Sequence, residues 1–145
     1  MTDLTRRRSD NDRHETWHIY FGDVLIGTIG IRAGVPTSGD QWGWKLGFYP
    51  GMEPGTQRSG SSATFDEARA AFERAWQDVE PTLREDDFEA WRRDRDFHAW
   101  KYRMQAGGYR MPTQSANGWS RCFCGELIPI ACELHVHTAH RGIGA

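Results

Sequence analysis

The chain has 145 residues, a formal charge of −2 and 38% hydrophobic residues, which excludes two full-sized domains and fits one domain, or one of about 100 residues with a short appended module. Near-balanced charge excludes a global pull toward nucleic acid or anionic membrane, and the net charge by segment stays between −4 and +1. The opening residues hold no apolar run of the secretory kind and nowhere do about 18 apolar residues follow one another, so a soluble, cytoplasmic protein with no membrane partner is expected.

Residues 1–14 are polar and charged without hydrophobic periodicity, the composition of a disordered tail. An α+β domain is expected over residues 15–110. Trp17, Ile19 and Phe21 alternate with polar residues, Gly22-Asp23 supplies a tight turn, and Val24 to Ile31 continues as a second strand. Trp42, Trp44, Leu46 and Phe48 alternate in the same way. The expected strands are therefore about 16–21, 24–32 and 41–49, with Pro50 to Ser62 as a Gly/Pro/Ser loop. Thr64-Phe65-Asp66-Glu67 is a capping box that opens a helix over about 65–79, whose Phe65, Ala68, Phe72, Ala75, Trp76 and Val79 form one apolar face. Thr82 and Glu85 suggest a second box, opening a helix over about 83–105 that stops at Gly107-Gly108. Its aromatics fall on two sides, so its first half should pack on the sheet and its second half should support the C-terminal segment. The expected fold is a three-stranded antiparallel sheet packed on two helices, followed by a small zinc-finger-like module over 111–145.

The chemistry is concentrated at the C-terminus, where Cys122, Cys124, Cys132, His135, His137 and His140 lie within nineteen residues. Three cysteines are an odd number for a disulfide framework and suit a metal site in a reducing compartment. Structural zinc takes four such donors in a tetrahedron, commonly two thiolates on a turn and two imidazoles from a helix. Cys122, Cys124, His135 and His140 give C-x-C-x10-H-x4-H, whose first gap is shorter than the common two to four residues; Cys132 and His137 are the reserve ligands. A segment of 35 residues is below the size of about 40 at which a domain usually holds together without a metal, a disulfide or a partner. One structural zinc ion per chain is expected.

His135-Val136-His137-Thr138-Ala139-His140 resembles the HxHxDH signature of metallo-β-lactamase-like hydrolases, but Ala139 stands where the aspartate belongs and only five residues follow, which leaves no room for that family's downstream ligands. No nucleotide-binding or nucleophile motif occurs, so the protein is expected not to be an enzyme. Arg92, Arg93, Arg95, Lys101, Arg103, Arg110 and Arg121 surround the finger region and are the candidate phosphate contacts of a nucleic-acid-binding accessory or regulatory protein. The alternative is a zinc-stabilised protein-interaction module anchored by the aromatics of the second helix.

Trp42-Gly43-Trp44, Gly47-Phe48-Tyr49-Pro50-Gly51, Phe65 to Glu73 and Arg121-Cys122-Phe123-Cys124-Gly125 resemble a group of uncharacterised short proteins of rhizobial type from α-proteobacteria. That resemblance implies no activity. Ala63 to Phe72 also resembles the helix entry of AP2-type DNA-binding domains, in which three strands pack on one helix. The three expected strands offer only Arg32 and Lys45 as cations, unlike that family, and fold analogy does not establish function.

Overall fold

The computed structural model describes residues 3–10 and 13–145; the expected disorder of Met1, Thr2, Asn11 and Asp12 lies outside them. The chain divides into two compact units, residues 1–91 and 92–145. Among the described residues the fold is α+β, with five antiparallel strands in one sheet rather than three, and three α-helices rather than two.

In the first unit β1 (Leu4–Arg8), β2 (Thr16–Phe21), β3 (Val24–Ile31), β4 (Trp42–Leu46) and β5 (Arg58–Ser62) lie in sequence order, each antiparallel to its neighbour. Register aligns Trp17 with Ile29 and Ile29 with Trp44, so the alternate apolar residues of three strands share one face. α1 (Phe65–Val79) covers it. Thr64 caps this helix, its Oγ1 accepting the Glu67 N–H at 3.2 Å. Phe65 then meets the rings of Trp17 and Trp42, Phe72 meets Trp44, and Trp76 meets Phe21. Gly27 marks the closest approach of helix and sheet: a Cβ there would collide with the Lys45 carbonyl oxygen and lie 2.7 Å from the Phe72 ring.

The two added strands are both at the sheet edges and have almost no hydrophobic signal. β1, LTRRR, falls where a disordered tail was expected; it pairs along β2, and the Arg6 guanidinium lies 4.8 Å from the ring centres of both Trp17 and Phe65. β5, RSGSS, falls in the expected loop; it is held by backbone pairing to β4, with Gly60 so close under the Trp44 indole that a Cβ would lie 2.7 Å from its nitrogen. Backbone hydrogen bonds do not depend on side-chain type, so neither strand shows in an apolar pattern.

Glu80–Thr82 forms a 3-10 turn, and α2 spans Glu85–Ala106. It starts two residues later than expected because the Thr82 box does not form: the Thr82 hydroxyl donates to the Val79 carbonyl, and the Asp87 carboxylate accepts the Arg84 N–H. The helix ends in a Schellman arrangement, with Gly108 at φ +74°, Gly108 N–H donating to Gln105 and Tyr109 N–H to Met104. Phe88 and Trp91 join the first unit's core; Trp100 and Met104 join the second's.

In the second unit β6 (Trp119–Arg121) and β7 (Leu127–Pro129) form a short antiparallel ribbon, and α3 spans Glu133–Ala139. Its core is small: Trp100, Met104, Cys122, Ile128, Cys132 and Val136. Buried Asp96 ties down the chain end, accepting the N–H groups of Gly142 at 2.9 Å and Gly144 at 3.1 Å. Burial raises its pKa, but those two bonds and the Arg95 guanidinium outweigh it and hold the carboxyl below its ordinary value.

Candidate metal centre

The turn between β6 and β7 presents the two thiols. Cys122 N–H donates to the Glu126 carbonyl at 2.9 Å and Gly125 N–H to the Cys122 carbonyl at 2.8 Å, closing a tight loop. Gly125 sits at φ +95°, a conformation open to glycine and strained for other residues. The imidazoles come from α3, His135 in its first turn and His140 at its C-cap, one further helical bond along because His140 N–H still reaches the Val136 carbonyl. Five residues put the two positions about 140° apart on a regular helix; His140, at φ −124° and ψ 25°, leaves the helical path, and the two ring centres lie 4.9 Å apart.

The result is a convergent cluster. One donor atom each from Cys122, Cys124, His135 and His140 lies within 4.8 Å of all the others, and the four could hold a metal ion. Cys122 Sγ is 3.3 Å from His140 Nε2, and Cys124 Sγ is 3.6 Å from His135 Nε2. In a tetrahedron with sulfur at about 2.3 Å and nitrogen at about 2.05 Å from the ion, a sulfur–nitrogen edge is about 3.5 Å. These two edges agree with that value.

Two residues outside the donor set orient it. His135 Nδ1 is 3.0 Å from the Glu126 carboxylate, an arrangement that keeps the proton on Nδ1 and leaves the Nε2 lone pair turned toward the cluster. The indole N–H of fully buried Trp100 donates to Cys122 Sγ at 3.2 Å and fixes its orientation. Burial, followed by the charges of His135 and Arg103, lowers the His140 pKa, so its ring favours the neutral, ligating form. Desolvation raises the thiol pKa of Cys124, as do Cys122 and the Glu126 charge, against an opposing backbone N–H from Glu126. A bound cation reverses that balance.

The reserve ligands stand apart from the cluster. Cys132 is the N-cap of α3 and packs into the core, where burial raises its pKa first and the Glu133 charge second. His137 is half-buried, and its Nδ1 has no hydrogen-bond partner among the described residues. Glu126 and Trp100 were not singled out from the sequence. The acid sits two residues after Cys124, where it could have been noticed; Trp100 is 22 residues from Cys122 and carries no local signal.

Several of the candidate phosphate contacts already serve within the unit. Arg95 bonds Asp96, Lys101 lies over the Phe97 ring, Arg103 stacks 4.2 Å from the Phe123 ring centre, and the Arg121 guanidinium donates to the Gly125 carbonyl. Arg92 and Arg93 also have intramolecular partners. Arg110 is exposed. Among the described residues no helix is long and apolar enough to cross a membrane. The chain matches no family model, no curated protein and no solved structure, so its function is read from its own geometry.

Proposed function

We propose that residues 92–145 form a structural zinc module and that the protein works by binding rather than by catalysis. The observation that carries this reading is the cluster of two thiols and two imidazoles whose donor atoms lie within 4.8 Å of one another, two sulfur–nitrogen distances matching a tetrahedral edge. Two sulfurs and two nitrogens are the donor set of structural zinc, whereas a catalytic site keeps a position for water. The small core of this unit fits a fold completed by metal, which supplies on the order of 10–16 kcal/mol of apparent binding energy. Full-length protein purified under reducing conditions is expected to hold about one zinc per chain through dialysis. Zinc-free protein that takes none up and keeps the same fold would sink the reading.

For the partner, the candidate cations support a nucleic-acid-binding accessory protein, with the exposed Arg110 the best placed for phosphate. A protein-docking reading draws on a different observation. Register puts Trp119, Arg121, Leu127 and Pro129 on one face of the ribbon, opposite buried Ser120 and Ile128. Trp119 and Leu127 are 46% and 50% exposed, so apolar area on this face exceeds what one scattered side chain would leave. Salt separates the two: phosphate contacts weaken steeply between low and moderate salt and an apolar anchor does not.

A further inference from the structure

The sheet of the first unit is charged on one sign only. Its five strands carry Arg6, Arg7, Arg8, Lys45 and Arg58 and not one Asp or Glu, although the chain as a whole has a net charge of −2. The described acids of this unit lie in turns, loops and helices. Four of the five cations sit on β1 and β5, the two strands that the hydrophobic pattern does not reveal.

Register shows which of them face away from α1. With Trp17, Ile29 and Trp44 inward, the row Arg7, His18, Thr28, Lys45 and Ser59 crosses all five strands on the outer face. The next row runs Thr16, Gly30, Gly43 and Ser61. The ladder continues to an Arg32 N–H bond with the Gln41 carbonyl, which keeps Arg32 on the same side as Gly30. The paired Gly30 and Gly43 leave a depression of about 500 Å³, bordered by Thr16, Thr28, Arg32 and Lys45. At its rim, Arg32 donates to the Asp40 carbonyl, and the Asp40 carboxylate accepts from Ser61. Lys45 is exposed and pairs with no carboxylate among the described residues.

Cations and hydroxyls without carboxylates on the strands are the complement of a phosphodiester backbone. The face offers little to a single strand, which needs bare rings for stacking. Among the outward residues of the five strands Tyr20 is the one phenol or indole, and the Arg7 guanidinium already lies 4.8 Å from that ring centre; Tyr49 and Trp91 border the face beyond the strands. Five strands at about 4.8 Å spacing make a face about 19 Å wide, too wide to enter a B-form major groove of about 12 Å. The minor groove of an A-form helix is wide and shallow, and it displays 2′-hydroxyls between its phosphates. From this match we infer that the outer face of the sheet is a contact surface for the minor groove of an RNA duplex, read by shape and backbone. This extends the nucleic-acid reading to the first unit and does not depend on zinc.

The test is fluorescence anisotropy of the full-length protein with a labelled RNA duplex of about 20 base pairs, beside the DNA duplex and the single-stranded RNA of the same sequence. The RNA duplex is expected to bind at least about tenfold tighter than either, with a salt slope near −3 for three cations. Replacing its 2′-hydroxyls by 2′-O-methyl groups should weaken it. The triple variant Arg7→Gln/Arg32→Gln/Lys45→Gln is expected to lose about tenfold or more, and the double variant Thr28→Glu/Ser59→Glu the same with every cation kept. Arg74→Gln, on α1, should bind as the wild type does. Circular dichroism and zinc content establish that each variant is folded. Equal or tighter binding to the DNA duplex or to the single strand, no binding at low salt, or folded sheet variants that bind unchanged would each overturn the inference. Zinc retention with no RNA binding would leave the metal reading standing alone.

Discussion

The two units solve the same problem of stability by different means. The first covers an apolar sheet face with an amphipathic helix, and its core includes Ile26, Ile29, Leu46, Phe72 and Trp76, all at most 1% exposed. The second has six buried core side chains, two of them cysteines, and places four metal donors against that core. Burial alone can hold the first. In the second, donors and core are shared, since Cys122 is both a cluster member and a core residue, so a metal bound there would couple to the fold.

The largest expected effect breaks that contrast open. Chelation under reducing conditions should abolish amide protection in the second unit, a loss on the order of 10 kcal/mol, while the first unit's exchange is unchanged. The converse variant is Phe72→Ala, which removes a ring buried against Trp44 and over Gly27. It should destabilise the first unit by about 3–5 kcal/mol in denaturant titration, with zinc content preserved. Loss of protection in both units on chelation would mean that the metal serves the whole chain.

A smaller effect sharpens the account of the centre. Glu126→Ala and Trp100→Phe keep the four donors but remove the partners of His135 and Cys122. Each is expected to weaken zinc affinity by about 10–100-fold, measured by competition with a chromophoric chelator, without changing stoichiometry. The smallest effect concerns the chain end. Because the folded pKa of Asp96 is below its ordinary 3.8, its carboxylate stabilises the second unit above that pH, and the contribution is lost as pH falls through the lowered value. Asp96→Asn should therefore reduce protection of the Gly142 and Gly144 amides at neutral pH by about 1–3 kcal/mol and remove that acid limb. Unchanged exchange at those two amides would show the bonds to be unimportant.

Reading the chain from its residues alone worked where side chains carry the physics. Period-two aromatics mark β2 and β4, an aliphatic run marks β3, Thr64 and the apolar stripe mark α1, and thiols and imidazoles at close spacing mark the donors, because amphipathic burial and metal ligation both demand particular residue types. It missed what backbone pairing and distant contacts decide. β1 and β5 are polar edge strands whose hydrogen bonds are blind to side-chain identity. Their addition turned a sheet with few cations into a wholly basic one. At the start of α2 the Thr82 hydroxyl turns back to the Val79 carbonyl instead of capping the Glu85 N–H, and the Asp87 carboxylate accepts the Arg84 N–H. The C-x-C-x10-H-x4-H spacing already favoured His140 over His137, but supplying Trp100 to Cys122 and Glu126 to His135 required the approach of α2 to the thiol turn and of that turn to α3. Those are distances across the fold, set by packing of the whole unit, and no local spacing encodes them.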